Sequence, residues 1–227
     1  MGAYSICRGH PVAMTEHVAI IDYGSGNLRS VQKALQRAAR QAGIAASVDL
    51  VSDADQLIAA DRIILPGVGA FRSCFQGLEA MPGMLDAMGE RVLSRGAPFL
   101  GICVGMQLLA NHGVEFGKTP GLGWISGHTA PLPPSAERRA PHMGWNCVEF
   151  KRDHPALDRH LSGADFYFAH TYHFDAEMAS EIIGVCAYGP PFPAIIGRDN
   201  LLACQFHPEK SQGAGIALLE GFLRWKP

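Results

Sequence analysis

Apolar residues along the chain form short β-branched runs that alternate with stretches of helical spacing. The runs that predict buried strands are 17–24, 47–52, 62–67, 97–102 and 201–207. Predicted helices are one beginning after Asn27 as its cap, a helix-rich segment 71–94 broken at Pro82-Gly83, and the segments 104–111 and 213–225. This alternation is typical of an α/β domain whose mostly parallel sheet is covered by helices on both faces.

The pattern changes after Gly113, where glycine, proline and aromatic residues become frequent. The runs there are shorter and predict added antiparallel strands. No linker or repeat divides the chain, so residues 17–227 are predicted to form one domain. Residues 1–16 read as neither helix nor strand, and we expect a flexible N-terminal extension.

Composition narrows the classes of function. The formal net charge is −2, and no Lys/Arg cluster exceeds two neighbours. A nucleic-acid or anionic-membrane surface would need a basic stripe, so neither partner is expected. No apolar run approaches the roughly 18 residues that span a bilayer. The six cysteines contain no CxxC pair, which favours free thiols in a reducing, cytoplasmic setting.

One cysteine lies in a context that indicates chemistry. The run Gly101-Ile102-Cys103-Val104-Gly105 connects a predicted strand to a predicted helix, which is the layout of a nucleophile elbow. The start of the helix would favour a thiolate at Cys103, and the Val104 N–H would be one oxyanion donor. By itself the motif is equally compatible with a buried structural cysteine.

A histidine after another buried strand changes that balance. His207 follows the run 201–207 and lies two residues before Glu209. A carboxylate there can accept the imidazole N–H and support an imidazolium, so the two motifs together predict a Cys-His-Glu triad. Alone, His-Pro-Glu would more often be a surface turn. The run Pro66-Gly67-Val68-Gly69 follows a third strand and suits either an oxyanion loop or an ordinary turn.

Taken together, GICVGMQLL, LPGVGAF and QFHPEKS resemble the class I (triad) glutamine amidotransferases, from about Val18 to the C-terminus. The resemblance implies a flavodoxin-like three-layer sandwich and hydrolysis of glutamine through a Cys103 thioester, without a cofactor or metal. It also implies oxyanion donors at Gly69 and Val104. The glutamine-binding positions that it implies are Gly67, Gln107, Glu115, Thr171 and Tyr172.

Finer motifs narrow the resemblance. IDYGSGNLRSV, TPGLGWI, PHMGWN and FYFAHTYHF resemble the glutaminase subunits of imidazole glycerol phosphate synthases, enzymes of histidine biosynthesis. The resemblance implies a partner, a cyclase subunit with a (β/α)₈ barrel that receives the ammonia. The positions that it places near this interface are Asn27, Trp145, Tyr167 and Lys210.

Other interpretations are weaker on the residues. His170 and His173 invite a metal interpretation, but residues three apart on a strand point to opposite faces. A dinucleotide loop at Gly24–Gly26 lacks the full glycine pattern. Three alternatives stay open: the glutaminase of another amidotransferase system, a different cysteine hydrolase, and a non-catalytic binding module that keeps a relic site.

Overall fold

The computed structural model describes residues 15–133 and 140–227. The predicted flexible extension falls mostly on residues 1–14, which lie outside the described residues. Its boundary was wrong for Glu16, which begins the first strand and pairs with Ala46. The Glu16 carboxylate also accepts a hydrogen bond from the buried Arg62 guanidinium, at 2.8 Å between Oε2 and Nε. A side chain held in this way belongs to the domain.

Within the described residues, six α-helices cover the sheets. They are α1 (Leu28–Ala42), α2 (Ala54–Ile58), α3 (Phe71–Glu79), α4 (Met84–Met88), α5 (Val104–Gln107) and α6 (Gln212–Arg224). Helix α3 ends at Glu79 and α4 begins at Met84, so the predicted break at Pro82-Gly83 is confirmed. A π-helical turn, Gly89–Ser94, continues α4. In the part of the chain that is described, no helix is both long and apolar enough to cross a membrane.

Fourteen strands are present in the described ranges. They are β1 (Glu16–Ile21), β2 (Ala46–Val51), β3 (Arg62–Gly67), β4 (Phe99–Cys103), β5 (His112–Gly113), β6 (Thr119–Pro120), β7 (Gly127–Pro131), β8 (His142–Cys147), β9 (Glu149–Phe150), β10 (Asp165–His170), β11 (Tyr172–Ala176), β12 (Ile182–Ala187), β13 (Pro191–Arg198) and β14 (Leu201–Cys204).

The main sheet has eight strands in the order β2-β1-β3-β4-β14-β13-β12-β9. The first five are parallel, and the last three add antiparallel pairs. Right-handed crossovers place α1 on one face and α2 to α4 on the other. Helix α6 packs against α1, and α2 packs against α4. The predicted α/β fold, a three-layer sandwich with added antiparallel strands, is confirmed.

Two smaller sheets lie beside the main one. Strands β8 and β10 form an antiparallel pair, and the other sheet has the order β11-β7-β5-β6. Both come from the second half of the chain, as the glycine- and aromatic-rich pattern predicted. The pair matters for function because β10 ends at His170, beside the carboxyl ends of β4 and β14.

The helix after the elbow is shorter than predicted. The pattern indicated a helix over 104–111, whereas α5 ends at Gln107. The reason is tertiary: the Asn111 N–H, which in a longer helix would bond to the Gln107 carbonyl, donates instead to the Gly127 carbonyl at 3.0 Å. The N–H groups of Leu109 and Ala110 bond to carbonyls three residues back, so the helix tightens and ends. A single turn has little macrodipole. The predicted dipole stabilisation of a Cys103 thiolate is correspondingly weak.

Candidate active site

Cys103 ends β4 in a conformation that side chains rarely adopt, with φ 55° and ψ −111°. The turn is possible because the chain packs backbone against backbone around it. A Cβ atom at Gly105 would lie 1.8 Å from the Leu65 carbonyl oxygen on the neighbouring β3. A Cβ atom at Gly101 would lie 2.8 Å from the Gly105 carbonyl oxygen. Both elbow glycines are therefore required by close approach, as the motif predicted.

We expect Gly105→Ala to destabilise the domain by about 3 kcal/mol or more, because the added methyl meets a backbone carbonyl that cannot rotate away. Gly89→Ala is the matched control. That glycine is helical, and a Cβ atom there meets nothing within 4 Å. It should be neutral or stabilise the domain by up to about 1 kcal/mol. Urea unfolding of both variants measures the difference, and equal stability of the two would contradict this account of the elbow.

His207 follows β14, the strand that pairs with β4. Its Nδ1 lies 2.8 Å from Oε1 of Glu209, and the two side chains are 3% and 2% exposed. Within the described residues, the second oxygen of that carboxylate has no hydrogen-bond partner. Burial lowers the pKa of His207, but interactions with Cys103 and Glu209 outweigh it and raise the pKa to about 10. The arrangement favours an imidazolium beside the cysteine.

Two further groups surround the Cys103 sulfur. The Ala169 carbonyl oxygen, on β10, lies 3.9 Å away and can accept from the thiol. The Gln205 side chain donates from Nε2 at 3.8 Å. Gln205 is fully buried. The sequence motif contains this residue, but reasoning from the sequence assigned it no role. The sequence signal that could have identified Gln205 as a site residue was its position two residues before His207, at the end of a buried strand.

The sulfur faces a cavity of about 310 Å³. Its lining includes six of the predicted site residues in addition to Cys103: Gly69, Val104, Gln107, Glu115, Thr171 and Tyr172. Val68, Pro141, Met143, Ala169 and His170 complete it, and sequence reasoning named none of these as site residues. The structure therefore brings together residues that are widely separated in the sequence.

Gln107 and Glu115 have defined orientations in this cavity. Nε2 of Gln107 donates to the Tyr172 carbonyl at 2.7 Å. Oε2 of Glu115 accepts from the Phe71 N–H at 3.0 Å, where α3 begins. This contact holds the carboxylate of Glu115 at the cavity wall. Positive charge on a ligand would be favoured there.

The predicted oxyanion segment between β3 and α3 is held by Ser25. The Ser25 hydroxyl donates to the Val68 carbonyl at 2.5 Å, and its oxygen lies 3.4 Å from the Val68 N–H. Gly69 follows with φ 109° and lines the cavity. Gly67, which was predicted to bind substrate, is not among the lining residues. A Cβ atom there would come within 2.8 Å of the Gly105 nitrogen, so the structure uses this glycine for packing under the elbow.

Three of the four predicted interface residues form one cluster. Trp145 and Tyr167 are register partners on β8 and β10, with ring centroids 6.0 Å apart. The Lys210 ammonium lies 5.6 Å from the Tyr167 ring centroid. Trp145 is 48% exposed. The fourth, Asn27, is the N-cap residue of α1, as predicted, although its side chain makes no capping hydrogen bond.

His170 and His173 have separate partners. Nε2 of His170 lies 3.1 Å from Nδ1 of His142, and Nδ1 of His173 lies 3.1 Å from the Phe174 carbonyl oxygen. Among the described residues there is no group of three or more potential ligands that could hold a metal ion.

Comparisons with known proteins show the family of the chain. The family model for class I glutamine amidotransferases matches residues 19–224. The chain is 51% identical over 214 residues to the imidazole glycerol phosphate synthase subunit HisH of Brucella suis, and 53% identical over 213 residues to that of Rhodospirillum rubrum. Each alignment covers 92% of this chain and 99% of the relative.

Solved structures are similar in fold. One crystal structure of a glutamine amidotransferase has a TM-score of 0.66 at 21% identity and covers 90% of this chain and 98% of its own. Another, from Thermotoga maritima, has a TM-score of 0.64 at 14% identity, with coverage of 92% and 97%. The chain belongs to the class I glutamine amidotransferases and, within them, to the HisH subunits of imidazole glycerol phosphate synthase.

Proposed function

We propose that this chain is the glutaminase subunit of an imidazole glycerol phosphate synthase, which hydrolyses glutamine and passes the ammonia to a cyclase subunit. The observation that carries the proposal is the arrangement at the carboxyl end of β4. There Cys103, at positive φ, shares a cavity with Gln107 and Glu115 and lies beside the 2.8 Å His207–Glu209 pair. A buried structural cysteine would need neither the strained turn nor the charged partner.

The first half of the reaction forms a thioester. The Cys103 thiolate attacks the carboxamide carbon of glutamine, and the carbonyl π electrons move to the oxygen. When the tetrahedral intermediate collapses, the carbon–nitrogen bond breaks. The His207 imidazolium gives its proton to the departing nitrogen, so ammonia leaves and a γ-glutamyl thioester remains. Glu209 holds His207 through Nδ1, which leaves Nε2 to carry this proton.

The second half releases glutamate. Neutral His207 accepts a proton from water as the water attacks the thioester carbon. The carbon–sulfur bond then breaks and returns the thiolate, while the imidazolium is restored. The new γ-carboxylic acid loses its proton to water, so the products are glutamate and ammonia. Cys103, His207 and water carry all of the other proton and bond changes.

The backbone N–H groups of Gly69 and Val104 are the proposed oxyanion donors. One such donor is worth about 3–4 kcal/mol in the transition state. Gly69 follows the segment whose Val68 peptide groups are bonded to Ser25. We propose that the segment Pro66–Gly69 shifts when the partner docks and completes the hole only then. That dependence would tie hydrolysis to demand for ammonia.

Recognition of glutamine follows from the same cavity. The Glu115 carboxylate, whose Oε2 accepts from the Phe71 N–H, faces the α-ammonium group in this proposal. Thr171 and Tyr172, at the junction of β10 and β11, meet the α-carboxylate. Gln107 holds Tyr172 in position through its hydrogen bond to the Tyr172 carbonyl.

The proposed partner is a cyclase with a (β/α)₈ barrel. Support comes from the cluster of Trp145 on β8, Tyr167 on β10 and Lys210 in the turn after His207. The two strands also line the cavity, through Met143 and Ala169. Asn27, exposed at the start of α1, extends the proposed docking face. The free cysteines of the described ranges support a reducing, cytoplasmic setting.

The test is release of glutamate from glutamine by the pure chain, with and without the cyclase and its nucleotide ligand. We expect stimulation of about 5- to 150-fold, the usual range of coupling between sites. Lys210→Met should reduce the stimulation, whereas Lys226→Met, at the far end of the chain, should not. Full activity of the chain alone would contradict the coupling. Activity that no cyclase stimulates would assign the chain to another amidotransferase system.

A further inference from the structure

Hydrogen bonds connect His142 on β8 with the nucleophile by way of the Tyr172 carbonyl, which accepts from both sides. On one side is His170, whose Nδ1 lies 2.9 Å from this oxygen. A carbonyl only accepts, so Nδ1 must carry the hydrogen and Nε2 must be the acceptor. Nε2 faces Nδ1 of His142 at 3.1 Å, which is then the donor. Burial lowers the pKa of His170 to about 3 and that of His142 to about 4, so both rings are neutral at physiological pH.

The next links fix two side-chain amides. Nε2 of Gln107 donates to the same Tyr172 carbonyl at 2.7 Å and to Oε1 of Gln205 at 3.0 Å. The Tyr172 carbonyl can only accept, so the nitrogen of Gln107 must be on this side, and the Gln205 atom that meets it must be the oxygen. Because Oε1 of Gln205 accepts here, its Nε2 must point the other way. That nitrogen lies 3.8 Å from the Cys103 sulfur.

We infer that Gln205 donates an N–H group to the Cys103 sulfur and thereby favours the ionised form of the sulfur. The inference rests on the proposed function in taking Cys103 as the nucleophile. The Ala169 carbonyl at 3.9 Å can accept from a thiol but repels a thiolate. The Gln205 N–H has the opposite preference, so it offsets the repulsion when the sulfur ionises.

Other titratable groups also surround the sulfur and stay unchanged when Gln205 is altered. Those on the elements packed against it are His207, Glu209, Cys204, Tyr23, Cys74, Glu115 and His170. A change in ionisation seen only on altering Gln205 therefore reports its own hydrogen bond.

The test is the pH dependence of Cys103 alkylation by iodoacetamide, followed by mass spectrometry of the Cys103 peptide in the full chain. Gln205→Met keeps the size of the side chain and removes the donor. A hydrogen bond to a charged group is worth roughly 1.5–3 kcal/mol, so the midpoint should rise by about 1–2 pH units. Below the midpoint, alkylation should be about 10- to 100-fold slower.

Gln32→Met is the matched control. Its Nε2 donates to the Val48 carbonyl at 2.8 Å, far from the site, so the same chemical change should leave the midpoint in place. Gln205→Asn keeps an amide in the core but shortens the side chain, and should raise the midpoint too. If Gln205→Met does not fold, the midpoint measured for Gln205→Asn tests the inference in its place. An unmoved midpoint in a folded Gln205 variant, or an equal shift in Gln32→Met, would overturn the inference.

The alkylation assay needs neither glutamine nor the cyclase, so the two proposals fail separately. Wild-type chain that alkylates at Cys103 but never releases glutamate would refute the proposed function alone. Normal glutaminase activity with an unmoved midpoint in Gln205→Met would refute only the role of Gln205.

Discussion

Cys103→Ser is expected to abolish glutamine hydrolysis, with a loss of roughly 10³-fold or more in kcat. A serine hydroxyl has nearly the size of the thiol and fits the same strained backbone, so the fold should survive. The hydroxyl is far harder to ionise, however, and the His207–Glu209 pair would not hold it as an alkoxide. No γ-glutamyl adduct should accumulate on the variant.

Glutamate release and intact-mass measurement check this result. Cys147→Ser is the control because Cys147 is a partly exposed free cysteine on β8 that lies outside the cavity lining. It should keep activity close to that of the wild type. Retained hydrolysis in Cys103→Ser, at a thermal stability equal to that of the wild type, would refute the thioester mechanism.

Glu209→Gln should lower kcat by about 10²- to 10⁴-fold, because a neutral amide can donate to His207 Nδ1 and select the wrong tautomer. It should also change the pH profile. The pKa of His207 is raised to about 10, partly by Glu209, against an ordinary value of 6.5. Imidazolium is the form that protonates the leaving group, so wild-type activity should fall only as the pH rises toward about 10. Without the carboxylate, this alkaline fall should begin at lower pH.

The same shift has a consequence for stability. A raised pKa in the folded state contributes stability that is complete below about pH 6.5 and is lost as the pH rises through about 10. In Glu209→Gln that loss should occur at lower pH. The profile of kcat/KM and the melting temperature across pH measure both effects. Glu149→Gln, an exposed carboxylate on β9, should change neither. If kcat/KM and stability of Glu209→Gln fell at the same alkaline pH as those of the wild type, the assignment of Glu209 would be contradicted.

Local spacing in the chain was enough to predict the main elements and the elbow. The apolar runs indicated β1, β3, β4 and β14, and the motifs around Cys103 and His207 lie at the carboxyl ends of the last two. This worked because buried parallel strands are continuous apolar runs, and because the glycine positions of an elbow are set by contacts within a few residues of the turn.

Other features depended on contacts between distant residues. The end of α5 at Gln107 follows from the Asn111 N–H donating to the distant Gly127 carbonyl, and no local pattern contains that partner. The packing role of Gly67 and the hold of Ser25 on Val68 likewise need the turn after β1 to meet the end of β3.

The amino-acid sequence alone therefore determined the fold class and the family, and it singled out the three residues of the proposed triad, because each of these signals lies in a short-range pattern. Only the tertiary structure decided which side chains surround the sulfur. Gln205 is a donor to Cys103 because Gln107 and the Tyr172 carbonyl orient its amide, and these groups come from three separate elements. The direction of a hydrogen bond depends on all of its neighbours in space, and the order of residues along the chain does not contain it.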